Sequence, residues 1–185
     1  MNIFNKNTKT KLPFITIEHL IEETSKNTLP TIMDTLNRTG FSIDELNAKT
    51  NILALNYEIA RYELYKGNER SVVDEVINDL YDGLQYLLNI SSEYRLKYEE
   101  IISKVKKVSK EMFDVKHLQA PRERYVYRLL LEQLSIREDN LSKEIIPEIV
   151  FYAKSWIDNM ANINSTYSVD TSDEGRKNDT IDFKF

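Results

Sequence analysis

From Thr16 to Ala161 the apolar positions recur three and four residues apart, the spacing of amphipathic helices laid end to end. Ile17, Leu20 and Ile21 give one face of a first helix starting after Thr16. A second is expected after Thr28, with Pro30 in its first turn, Leu29, Ile32, Met33 and Leu36 as its apolar face and Gly40 as its stop. The third carries the strongest local signal. Ser42-Ile43-Asp44-Glu45 has the form of a capping box, and Phe41 is spaced to pack on Leu46 across it. Ile43, Leu46, Thr50, Leu53, Tyr57, Ala60 and Leu64 form one row, and Ile52, Leu55, Ile59 and Tyr62 a second, before Gly67. Two apolar rows predict a central helix buried on two sides.

A fourth helix is expected near Ser71, with Val73, Val76, Ile77, Leu80, Leu84, Leu87 and Leu88 as its stripe. Ser91 and Ser92 mark the start of a fifth, with Tyr94, Tyr98, Ile101, Val105, Val108 and Met112 in line. Pro121 opens a sixth containing Val126, Leu129, Leu130 and Leu134. A seventh follows Ser142 through Ile146, Ile149, Val150, Ala153, Trp156, Ile157 and Met160, where Pro147 marks either a kink or the first turn. The pattern breaks at Asn164, beyond which the chain is Ser, Thr, Asn, Asp and Gly until Ile181-Asp182-Phe183-Lys184-Phe185. The expectation is an all-α bundle of six or seven amphipathic helices with an extended polar C-terminal tail. Its parts are an N-terminal arm at 1–15, a helical domain at 16–163 and a tail at 164–185.

Composition narrows the chemistry. With 185 residues, 41% hydrophobic and 30% charged, the chain has the make-up of one globular domain with one core. The absence of cysteine excludes disulfides, thiolate nucleophiles and Cys-ligated zinc, and two histidines are few for a His-based metal site. A net charge of −5 disfavours a dedicated nucleic-acid binder. The N-terminal MNIFNKNTKTK has no apolar core of the kind a signal peptide needs, and no apolar run approaches the roughly 20 residues of a membrane span. A cytoplasmic location is expected, or a virion if the gene is a phage's, which the Asn-, Ile- and Lys-rich composition would fit.

Asp79 and Asp82 stand three apart on one predicted helix, and Glu58 lies on the helix before it. Together they have the oxygen ligands a hard cation such as Mg²⁺ requires, while the competing reading is a solvated face with acids favoured by the helix dipole. The segments Leu53-Ala54-Leu55-Asn56-Tyr57-Glu58-Ile59-Ala60 and Asp79-Leu80-Tyr81-Asp82-Gly83-Leu84-Gln85-Tyr86-Leu87-Leu88 resemble the two motif helices of MazG-like all-α nucleotide pyrophosphohydrolases. That resemblance implies Glu58, Asp79 and Asp82 as Mg²⁺ ligands in nucleotide hydrolysis. Arg61, standing where the family's second glutamate belongs, departs from the pattern, as does Asp79 in place of a longer Glu.

Between Arg95 and Arg128 run Lys97, Lys104, Lys106, Lys107, Lys110, Lys116, Arg122 and Arg124, interleaved with Tyr98, Tyr125 and Tyr127. Such a stripe suits phosphate groups, but Glu99, Glu100, Glu111 and Glu123 interrupt it, favouring a solvated face. His19 and His117 have no nucleophile beside them in sequence and read as polar surface. In the tail, Ile181, Phe183 and Phe185 alternate with charges as in a strand with one apolar face. With Tyr167 they form the expected partner-binding set. The leading expectation is a non-enzymatic helical assembly or adaptor protein without a cofactor, of which a phage connector-type component is one form. Its terminal arms would bind neighbouring subunits in a homo-oligomer or larger assembly. The alternatives are the Mg²⁺-dependent pyrophosphohydrolase, active or degenerate, and a helical regulator of a host protein.

Overall fold

The computed structural model describes residues 9–113 and 122–172. Among them the order is β1 (Thr10–Leu12), α1 (Phe14–Asn37), α2 (Glu45–Leu64), α3 (Arg70–Leu87), α4 (Arg95–Phe113), α5 (Arg122–Gln133), a single 3-10 turn (Glu138–Asn140), α6 (Ile145–Thr166) and β2 (Tyr167–Val169). The body is helical, as the apolar period predicts. No helix among the described residues is long and apolar enough to cross a membrane.

The two helices expected before Gly40 are one. The run Thr24-Ser25-Lys26-Asn27-Thr28 reads as a break, yet its hydroxyls bond back to helical carbonyls: Thr24 Oγ1 to Leu20 O and Ser25 Oγ to Ile21 O at 2.7 Å each, and Thr28 Oγ1 to Ser25 O at 3.0 Å. Pro30 is on the exposed side of α1, where water can satisfy the carbonyl that its missing N–H leaves free. Gly40, at φ +76°, then turns the chain in a conformation that glycine adopts without strain.

Helix α2 is the axis of the bundle. Ile52 through Ala60 are all buried, and α2 packs against α1, α3, α4, α5 and α6. The two apolar rows in its sequence are therefore two buried faces. Its N-cap is Asp44, whose Oδ1 accepts from the Asn47 N–H at 3.1 Å, so the cap falls two residues beyond Ser42, the first residue of the expected box. Ser91, expected to open the helix, instead closes the turn before α4: its Oγ accepts from the Tyr94 N–H at 3.3 Å, and the helix begins at Arg95. Pro147 is in the first turn of α6, where its missing donor is harmless.

The segments that flank the helical body meet. β1 and β2 pair in parallel with Thr10 opposite Tyr167, Lys11 opposite Ser168 and Leu12 opposite Val169. The α2–α3 turn anchors them: Asn68 Oδ1 accepts from the Val169 N–H at 3.0 Å, and Asn164 Oδ1 accepts from Lys9 Nζ at 3.1 Å and Asn68 Nδ2 at 3.4 Å. Those contacts bury Asn164 and carry α6 through Thr166, past the boundary at 163 that polarity had suggested. A Cβ at Gly67 would run into Lys9 Nζ and stand 2.7 Å from Asn164 Oδ1, so a larger residue there would displace both side chains.

Candidate functional site

A hollow of about 320 Å³ opens between α2, α3 and α4. On α2 and its C-cap, Glu58, Arg61, Tyr62 and Tyr65 are related by three- and four-residue steps and so share a face. Arg70 and Asp74 come from the start of α3, and Lys106 and Lys110 from one face of α4. The side chains divide into two layers. At the floor is an internally paired acid–base set, and toward the rim are cations and rings.

The floor is built around Glu58, which is 2% exposed. Its Oε1 lies 3.3 Å from Arg61 Nε and 2.9 Å from the Tyr81 hydroxyl, which is itself 3.1 Å from the Ala54 carbonyl. Burial pushes the Glu58 carboxyl above its usual range, and Arg61, the Tyr81 hydrogen bond and Lys106 offset that only in part. Tyr81 is buried edge-on against Tyr57, with ring centroids 5.5 Å apart, and desolvation followed by the nearby Glu58 charge drives its phenol upward. Burial acts against the Arg61 guanidinium, but Glu58, Tyr65 and Asp74 together leave it above the ordinary arginine value. Arg61 also pairs through Nη1 with Asp74 Oδ1, the same oxygen that accepts from the Tyr65 hydroxyl at 2.5 Å. Arg61 Nη2 is buried and makes no hydrogen bond.

Above the floor, Lys106 Nζ is 4.2 Å from the centroid of the buried Tyr81 ring, and at the rim the Arg70 guanidinium carbon is 5.1 Å from that of Tyr65. Tyr62 and Tyr65 meet edge to face at 5.6 Å. Lys106 is half-buried, and burial first, then repulsion from Arg61, lowers its pKa despite Glu58, Asp82 and Asp74. Among the described residues, four cationic side chains thus line the hollow against two carboxylates, both already paired with Arg61.

The three carboxylates implied as metal ligands are not brought together. Glu58 faces the hollow just described and is taken by Arg61 and Tyr81. Asp79 is exposed on α3 and lines a smaller hollow of about 180 Å³ against α1, beside Glu18, His19 and Glu22. Asp82 is exposed too, and its charge acts on Tyr98 and Lys106 of α4. Among the described residues no group of three or more His, Asp or Glu is arranged to hold a metal ion. The arrangement does not fit the Mg²⁺ site that the resemblance implied, because the one buried carboxylate of the set is neutralised by a neighbouring arginine rather than left for a cation.

Tyr167, expected as a partner contact, is half-buried in β2 and packs on the core. Ile181, Phe183, Phe185 and His117 lie outside the described residues. From the basic stretch, Lys106 and Lys110 reach the hollow, whereas Lys97 turns to α2 and pairs with Asp44 at 2.7 Å. Sequence reading missed Tyr62, Tyr65, Arg70 and Asp74 as one site. The spacing of Glu58, Arg61, Tyr62 and Tyr65 was the available signal for it. No protein-family model matches the chain, and no curated protein or solved structure matches it significantly.

Proposed function

We propose that this is a non-enzymatic helical adaptor or assembly protein. Its helix bundle serves as a stiff scaffold and the hollow between α2, α3 and α4 as a recognition site for an anionic group of its partner. The observation that supports this reading is the division of charge in the hollow: its acids are spent on Arg61, and the remaining cations face the opening. A site of that kind attracts and orients an anion, and among the described residues it offers no carboxylate left unpaired to hold a metal or take a proton from water. The C-terminal Ile181, Phe183 and Phe185 enter this reading as a second contact, on their sequence pattern alone.

The test is quantitative affinity capture from the native source with three baits: the full chain, Lys106→Gln/Lys110→Gln, and a chain ending at Ser172. A protein captured by the full chain and lost from the double variant supports the hollow as the recognition site; loss from the shortened chain assigns the contact to the tail. Equal capture by all three baits sinks both assignments. Pyrophosphate release from a nucleotide panel with Mg²⁺ would overturn the non-enzymatic reading itself.

A further inference from the structure

Resting on the hollow as a recognition site, we propose that the anion it takes is the dianionic phosphoryl group of a phosphate monoester rather than a carboxylate. Charge is the first argument. Among the described residues, Arg61, Arg70, Lys106 and Lys110 stand against Glu58 and Asp74, a surplus of two positive charges that matches a phosphate monoester at neutral pH. Donor inventory is the second. Arg61 has given Nη1 to Asp74, has Glu58 3.3 Å from Nε and lies beside the Tyr65 hydroxyl, while its buried Nε and Nη2 meet no acceptor in good hydrogen-bond geometry. A buried guanidinium nitrogen left unpaired is costly, and an incoming oxyanion removes that cost.

Geometry supplies the third argument. Lys106 sits over the buried Tyr81 ring and Arg70 over Tyr65, so each cation is held beside a ring instead of waving in solvent. Phosphate offers three terminal oxygens to such converging donors, against two for a carboxylate. The volume, about 320 Å³, leaves room for the esterified group beyond the phosphoryl head, beside the rings of Tyr62 and Tyr65. A free phosphorylated metabolite and a phosphorylated side chain of a partner present the same head group.

Calorimetric titration of the full-length protein with phenyl phosphate, a short phosphoserine peptide, inorganic phosphate and benzoate tests the assignment. Expected is binding of at least one ester roughly tenfold tighter than benzoate, reduced a further tenfold or so in Lys106→Gln/Lys110→Gln. Preference for phenyl phosphate marks a free ester as the source, and preference for the peptide marks a modified side chain. Should the double variant fold poorly, Arg70→Gln, at an exposed rim position, is to show the same selective loss. Benzoate binding as tightly as the esters, or inorganic phosphate as tightly as either, would overturn the monoester assignment while leaving an anion site in place. No heat with any ligand overturns it too; in that case captured partners that still depend on Lys106 and Lys110 keep the recognition reading, and partners indifferent to them remove it.

Discussion

Glu58 shows how much one side chain's surroundings decide. A carboxyl at 2% exposure is destabilised as an anion, and its pKa rises on folding mainly through burial. The folded state therefore holds its proton to higher pH than the unfolded state, so Glu58 contributes stability at acid pH that is lost as pH rises from the unfolded value through the folded one. Urea melts across that range should show the wild type losing ground to Glu58→Gln as pH rises; the opposite trend would mean that Arg61 holds Glu58 ionised against the desolvation penalty. Asp44 is the converse case. Its pKa is lowered first by the Lys97 hydrogen bond and then by the Asn47 N–H, so its contribution is present above the unfolded pKa and disappears as pH falls through the folded one. Asp44→Ala should cost about 1 kcal/mol at neutral pH, and Asp44→Asn clearly less, because asparagine still caps and the surface pair adds little. Both caps and charges were visible in the sequence, but their partners were not. Which carboxylate would meet Arg61 depends on α2 and α3 being antiparallel neighbours with Asp74 one turn into α3, and periodicity carries no such information.

Elements were legible to the extent that their interiors were apolar. Helices α2 through α6 follow rows that the sequence displays, and α2's double row is its burial on all sides. The division of α1 was misread because Ser and Thr favour turns when their hydroxyls compete for the backbone, yet here the same hydroxyls fold back onto helical carbonyls. One of them does more. Thr28 Oγ1 accepts from the buried Trp156 Nε1 at 2.8 Å, fastening α1 to α6. Thr28→Val leaves the indole N–H without a partner in the core and should destabilise by about 1–2 kcal/mol, while the same change in a Trp156→Phe background should cost much less. A double-mutant cycle from denaturant melts measures that coupling, and additive losses would show the bond to be incidental. Farther along the seam, Arg38 reaches both Glu148 oxygens and Thr35 donates to one of them at 3.2 Å, an arrangement exposed enough that salt should weaken it.

For the molecule as a whole, the decisive contact joins the segments just before α1 and just after α6. Polar composition marked the residues on either side of the helical body as arms, whereas Lys9 to Leu12 and Asn164 to Asp170 close on each other over the α2–α3 turn. Asp170 N–H reaches the Leu12 carbonyl at 2.7 Å, and Asn68 holds both β2, through Val169, and α6, through Asn164. Short parallel strands contribute little alone, so this clasp depends on the side chains of Asn68 and Asn164 and on the space that Gly67 leaves for them. Asn68→Ala should cost about 2 kcal/mol, roughly 4–8 °C in melting temperature for a domain of this size. Gly67→Ala should act in the same direction, more weakly, by pushing a methyl group against Lys9 Nζ and Asn164 Oδ1, which must shift. A chain ending at Ile163 loses β2 and the Asn164 contacts and should melt well below the full protein, but one ending at Ser172 keeps every contact described and should melt with it. Amide exchange at Val169 and Asp170 separates the two causes: faster exchange there in Asn68→Ala, with α2 amides unchanged, localises the loss to the clasp. Uniform acceleration throughout would instead make the clasp part of the global fold, and any interaction assay on a chain cut at 163 would then report unfolding rather than a missing arm.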